Sequence, residues 1–230
     1  MKPSDRISII IPAYEEADRI KETLDGLGQM AGIEEAEIIV VDGHPEKSTI
    51  RSLTEGPFRG IGGPKGRGAQ MHAGATACCG TAMLFLHADT RLRADALNRI
   101  KEVLRDPAVA GGAFDLGIDA PGAAYRLIER GASFRSRLTR VPYGDQALFF
   151  RRSAYFRLGG FRPIPLMEDV DLMRRLKRAG EKIRIIRQPV RTSARRWQKE
   201  GILFCTFRNY ALIVLYLLGV SPGRLSRYYR

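Results

Sequence analysis

Cysteine, histidine and tryptophan are scarce: three, three and one among 230 residues. Cys78, Cys79 and Cys205 are too few for a disulfide framework and form no CxxC pair. A disulfide-stapled scaffold is thereby excluded, a structural zinc site is disfavoured, and a reducing, cytoplasmic setting is expected. No GxSxG, no P-loop motif and no plausible Cys–His pair occurs, so hydrolase triads and P-loop chemistry have no support. Long apolar runs are also missing. The most apolar stretch, 210–218, is about half the ~20 residues of a spanning helix, and backward extension meets Arg208 and Asn209. Residues 1–6 are polar and only Ile7 and 9–11 follow as an apolar run, so no signal peptide is expected. The 24 glycines and 12 prolines follow no repeat, which excludes collagen-like and solenoid folds.

What is present suits one large domain with a buried core: 44% hydrophobic and 27% charged residues. Acid is scarce in one half only. Residues 1–120 hold 14 Lys and Arg against 18 Asp and Glu, whereas 121–230 hold 24 against 7, a balance of +17. A basic half calls for an anionic partner: phosphate, nucleic acid or a membrane surface. A non-catalytic nucleic-acid module is the weaker of these readings. Aromatics are only 8%, no RNP, KH or zinc-finger motif occurs, and acidic clusters would repel a phosphate backbone.

The first half alternates strand and helix patterns. Residues 7–12 (ISIIIP), 37–41 (EIIVV) and 82–86 (AMLFL) are continuous apolar runs of the kind that strands covered on both faces carry. Helical spacing follows at 16–27, 69–79 and 94–104. This alternation predicts an α/β fold with a mainly parallel central sheet flanked by helices. Beyond it, 113–118, 147–151 and 182–186 are expected strands, and 123–138 and 169–179 expected helices. No linker divides the chain, so one domain is expected over 1–200. An apolar and basic helical tail over 201–230 would pack on the domain, on a second copy in a homodimer, or on a membrane surface as a peripheral anchor.

Ligands of such sheets bind beyond the carboxyl ends of the strands. Three successive strands end in polar clusters: Pro12-Ala13-Tyr14-Glu15-Glu16, Asp42-Gly43 and His87-Ala88-Asp89. Asp89 could hold a hard divalent cation against a diphosphate, or cap the helix that follows. His87 leaves the same strand face. Asp42 could accept hydrogen bonds from a nucleobase, or form an Asp-Gly turn. Residues 60–74 (GIGGPKGRGAQMHAG) set Lys65 and Arg67 before a helix, where amides and cations could meet a phosphate; a solvated loop is the alternative. The stretch has no strand directly ahead of it. Glu168, Asp169 and Asp171 open a helix; one could be a general base, or all could favour the helix dipole. Asp145 in YGDQ is a second polar candidate or a turn residue. Arg195-Arg196-Trp197 could grip a diphosphate beside an acceptor platform, or be a snorkelled basic surface.

In this order the motifs resemble those of glycosyltransferase family 2, the inverting transferases of GT-A fold. SIIIPAYEE and EIIVVDG are similar to its donor strands, GRGAQMHAGA to its Arg-rich helix entry, and FLHADT to its DxD-type metal motif. GDQALFFRRSAYFRLGGF with MEDVDLMRRLKRAG resembles its acceptor region with the ED base, and SARRW its late RW element. The resemblance implies a hexosyltransferase with a nucleotide-sugar donor, UDP-linked by the family's usual preference, and an unknown hydroxyl acceptor. Pro12, Ala13, Tyr14, Glu16, Asp42, Arg67 and His87 would bind the donor. Asp89 would hold Mg²⁺ or Mn²⁺. Asp169 would be the base with Glu168 beside it, and Asp145, Arg196 and Trp197 would meet acceptor or diphosphate. Two departures stand out: DGHPEKST replaces the usual DGxSxDxT, and His87 replaces the first Asp of DxD. The compact length and the HADT, GDQ and RRW variants resemble a small bacterial subfamily found near radical-SAM and selenium-related genes, some of its members tied to arsenosugar biosynthesis.

Overall fold

The computed structural model describes residues 6–53 and 56–229; the polar opening over 1–5 and Arg230 lie outside the described residues. The chain begins with β1 (Ile7–Ala13), α1 (Ala17–Gly28), β2 (Glu37–Asp42), α2 (Ser48–Arg51), β3 (Arg59–Gly62), α3 (Arg67–Ala77) and β4 (Ala82–Phe85). Then come β5 (Thr90–Arg91), α4 (Ala96–Val103), β6 (Val109–Asp119), α5 (Ala123–Thr139), β7 (Phe149–Arg151), α6 (Arg152–Arg157), α7 (Glu168–Arg178) and β8 (Lys182–Ser193). The described chain closes with α8 (Arg195–Glu200), α9 (Ile202–Leu217) and α10 (Pro222–Leu225).

One sheet runs in the order β3-β2-β1-β4-β7-β6-β8-β5. β1, β2, β3 and β4 pair in parallel, as β6 does with β8. β7 is antiparallel to both β4 and β6, and β5 to β8. The α/β class expected from the pattern is what folds, but the sheet is mixed. The inserted β7 and the edge strand β5 are only three and two residues long, too short to leave a periodic signal.

Burial explains the legible strands. Ile7, Ile9 and Ile11 face one core layer with Ile20, Leu27 and Leu84, and Ile10 faces the other with Met71, Phe85 and Tyr155. With both faces covered, the run has no polar alternation. The small residues of α3 have a packing cause: a Cβ on Gly74 would come within 2.4 Å of Ile10 and 2.9 Å of Val41, so the helix lies flush on β1 and β2. β3 corrects the sequence expectation for 60–74: a short edge strand does stand directly ahead of α3, hidden by its glycines. β8 also runs further than expected, through Pro189 to Ser193. A register shift between Phe114 and Asp115 lets β6 and β8 pair again beyond the interruption. That extension carries the chain to the mouth of the sheet.

Candidate active site

The carboxyl ends of β1, the turn after β4, the 143–146 turn, the start of α7, the end of β8, α8 and α9 converge on one cavity of about 370 Å³. Pro12, Ala13, Tyr14, Glu16, Arg67, His87, Asp89, Asp145, Asp169, Arg196 and Trp197 all line it. Of the thirteen residues given site roles by the family resemblance, only Asp42 and Glu168 stand outside its lining.

Both have structural work to do. Asp42 is fully buried; one carboxylate oxygen accepts from His44 N–H (2.9 Å), the other from Thr49 and Ile50 N–H (2.8 and 3.0 Å). Its acceptor capacity thus goes to tying the β2 end to α2, which is the turn-forming role. Glu168 is buried and forms an ion pair with Arg67 Nε, joining the start of α7 to the start of α3. Burial opposes the charge on Arg67, but Glu168 and Asp169 outweigh it and hold the guanidinium firmly protonated.

Asp169 is held from two sides. Its Oδ2 accepts from Gly144 N–H at 2.7 Å and its Oδ1 from Val170 N–H at 2.8 Å, in the first turn of α7. Met167 precedes this turn with φ 66°, a left-handed conformation unusual for its side chain. Gly144 eases the close approach: a Cβ there would sit tightly, 3.2 Å from Asp169 Oδ2 and 3.1 Å from His87 Nε2. GDQ is therefore the seat on which the carboxylate rests.

Asp89 also lines the cavity and does not cap α4, where Asp95 stands. Its carboxylate lies 3.3 Å from Arg195, which also reaches Glu16 at 3.1 Å. Burial and then the neighbouring Glu16 push Asp89 above the usual range. His87 is driven the other way, to about 3, by burial and by Arg67 and Arg196, so it is a neutral imidazole near neutrality. Asp145 is pushed up to about 6, chiefly by burial and, against the pull of Arg135, by Asp169.

Three buried polar atoms in this lining lack any partner: His87 Nε2, Asp145 Oδ1 and Asn209 Oδ1. Orphans of this kind are rare in folded proteins, and three around one cavity are what a polar ligand would satisfy. As for a metal, no group of three His, Cys, Asp or Glu side chains is gathered among the described residues. Asp89 with Glu16 nearby fits a hard cation that brings its own diphosphate oxygens rather than one held by protein alone.

Sequence reasoning missed several residues of the wall. Gln70, within the GRGAQ motif, spans the β1 and β2 ends by donating to Ala13 O (2.6 Å) and Val41 O (3.0 Å). Tyr229 takes Arg196 over its ring at 4.4 Å. Cys205, Asn209, Leu212 and Ile213 of α9 close one side. No local motif marks Tyr229 or the α9 residues. Trp197 donates to Thr206 Oγ1 (3.2 Å) and meets the Tyr125 ring edge-on, which joins α8 to α9 and α5.

With this geometry in place, comparisons with known proteins are informative. Residues 8–164 match the family model of glycosyl transferase family 2. Among solved structures, TarS 1–349 from S. aureus superposes with TM-score 0.64 at 14% identity, covering 91% of this chain and 65% of that one. A TarS complex with UDP-GlcNAc gives 0.64 at 14%, covering 82% and 58%. The mannosyltransferase PcManGT from Pyrobaculum calidifontis, in complex with GDP-Man and Mn²⁺, gives 0.67 at 20%, covering 91% and 61%. The chain thus spans less than two thirds of these structures, and the likeness is one of fold. No curated protein matches it.

Proposed function

From the premise that the chain belongs to glycosyl transferase family 2, we propose that it moves a sugar from a nucleotide-diphospho-sugar, UDP-linked by preference, to an acceptor hydroxyl with inversion. The observation that carries this reading is Asp169, a carboxylate locked by Gly144 and Val170 amides in the cavity that Asp89 also lines. In this reading Asp169 takes the acceptor proton as the acceptor oxygen bonds to the anomeric carbon; the bond from that carbon to the diphosphate oxygen breaks, and the nucleoside diphosphate leaves. Tyr14 and Glu16 would meet the donor at the end of β1, with Pro12 and Ala13 giving it backbone to lie on. Neutral His87 would place an uncharged ring where the family carries an acid, so Asp89 would be the main protein ligand of Mg²⁺ or Mn²⁺. Such a cation, when bound, supplies charge neutralisation on the diphosphate. Arg67 and Arg196 add fixed positive charge beside it. Asp42 acts through the loop it ties rather than on the base. Asp145 and Trp197 would line the acceptor side. Membership of the arsenosugar-type subfamily is part of the proposal and rests on the HADT, GDQ and RRW variants.

The test is thermal stabilisation against nucleoside diphosphates and nucleotide sugars, each with and without Mn²⁺. Selective, Mn²⁺-enhanced stabilisation by one nucleotide is expected. A folded sample that responds to none would overturn the donor assignment.

A further inference from the structure

Helix α9 has two faces with different tasks. Cys205, Asn209, Leu212 and Ile213 line the cavity, and Leu212 packs with Leu166, Met167 and Val170 beneath. The other side is bare: Leu203 is 86% and Phe207 78% exposed, with Phe204, Val214, Leu217 and Leu218 also exposed. A second bare stripe runs along α5, where Leu127, Phe134 and Leu138 face solvent, Leu127 at 73%. The two helices meet at one small core cluster, where Tyr125, Ile128 and Ala132 of α5 gather with Trp197 of α8 and Ile202 at the start of α9. So large an apolar surface on a folded chain marks a contact site.

Charge identifies the occupant. No Asp or Glu occurs after Glu200. Arg130 and Arg140 of the α5 segment and Arg224 and Arg227 beyond α9 are exposed, and none has an acidic partner among the described residues. Apolar side chains bordered by unpaired arginines complement an anionic bilayer, in which the former enter the acyl boundary and the latter meet lipid phosphates. At 16 residues α9 is about 24 Å long, short of a bilayer core, and no described helix is long and apolar enough to cross one. We infer that the α5–α9 face docks on an anionic membrane surface, α9 lying in the interface. The cavity, roofed by the inner side of that helix, then opens next to lipid. This placement of the cavity rests on the transferase reading; the docking does not.

The experiment is co-sedimentation of the full chain with phosphatidylcholine vesicles, with and without phosphatidylglycerol, at low and high salt. Binding to the anionic vesicles is expected, weakened by salt and reduced roughly tenfold by Leu203→Glu with Phe207→Glu. Arg224→Glu with Arg227→Glu is expected to reduce the preference for anionic lipid. All four side chains are exposed, and far-UV circular dichroism with thermal melting checks that each variant keeps its fold whether or not a nucleotide binds. No binding to either vesicle, or equal binding by the Glu variants, would overturn the inference. So would a dimer in solution that the Leu203 and Phe207 substitutions dissociate, because the face would then belong to a second copy.

Discussion

The two halves of the sheet differ in almost every respect except the cavity they share. β3-β2-β1-β4 is parallel, its inner strands are almost wholly buried, and it belongs to the part of the chain with a small excess of acid. β7-β6-β8-β5 is mixed in direction and broken by a register shift, and two of its strands, β7 and β8, come from the part with a balance of +17. The cavity is the seam. Acids Glu16 and Asp89 from the first half meet Arg195 from the second, and Glu168 from the second meets Arg67 from the first. The first half thus supplies a rigid floor, and the second brings the base, the roof and most of the compensating charge. The contrast can be broken one contact at a time.

The largest effect belongs to Asp169, the one seam carboxylate held by amides rather than by a cation. Asp169→Asn preserves its shape and one of its two amide hydrogen bonds but cannot take a proton. Transfer should fall by about 10²–10⁴-fold while nucleotide binding stays within a few-fold. Single-turnover transfer alongside calorimetric nucleotide titration separates the two. A variant that turns over normally would move the base elsewhere.

Next is the buried Glu168–Arg67 pair, which holds α7 to α3. Glu168→Gln leaves a guanidinium facing a neutral amide. Loss of one partner of a buried pair is costly, but the Arg67 side chain still reaches solvent, so a loss of about 2 kcal/mol is expected. That corresponds to a drop in Tm of roughly 4–8 °C for a chain of this size. Thermal denaturation checks it; an unchanged Tm would mean that the pair contributes nothing across the seam.

These two neighbours show what the sequence could and could not reveal. EDVD at a helix start announced acids with a task, but nothing in the string divides the labour: Glu168 is paired away while Asp169 faces the ligand space. Asp42 shows a similar limit. Its position at a strand end was legible, whereas its three amide partners arise from how the chain turns back into α2. In the first half a strand between two covered layers leaves an apolar run of its own, so β1, β2 and β4 could be read directly. In the second half, β8 alternates exposed basic and buried residues and passes through a proline, and its last residues reach the cavity by a pairing that no local pattern encodes. The α9 wall was equally hidden, because Asn209 and Leu212 belong to the site only through tertiary packing.

A third way to sharpen the comparison uses pH. Asp145 titrates at about 6 in the native chain against an ordinary 3.8, because burial and then the nearby Asp169 disfavour its charge. Below 3.8 it is neutral folded and unfolded. Between 3.8 and about 6 the native state holds the extra proton, so its contribution to stability falls as pH rises, and above 6 the full penalty is present. Asp145→Asn removes that penalty, on the order of 1–3 kcal/mol. The variant should therefore melt several degrees higher than the parent at pH 8 and at nearly the same temperature near pH 4. A stability gain that persists unchanged into acid would show that burial of this carboxylate is not its cause.

The smallest effect is expected at Arg195, and it tests which half owns the cation at the seam. This guanidinium sits between Glu16 and Asp89, the two carboxylates that a divalent ion would approach, yet its side chain is 42% exposed. Partly exposed ion pairs contribute about 0–1 kcal/mol, so Arg195→Ala should leave Tm nearly unchanged. Its effect should appear in metal affinity instead. With a like charge removed from the approach, Mn²⁺ should bind a few-fold more tightly in the presence of a nucleoside diphosphate, as followed by the loss of the free-ion paramagnetic signal. Tighter binding would make Arg195 a resident cation that the metal displaces. Weaker binding would mean that it holds the diphosphate together with the metal, and the second half would then contribute to the donor site itself rather than only balancing its charge.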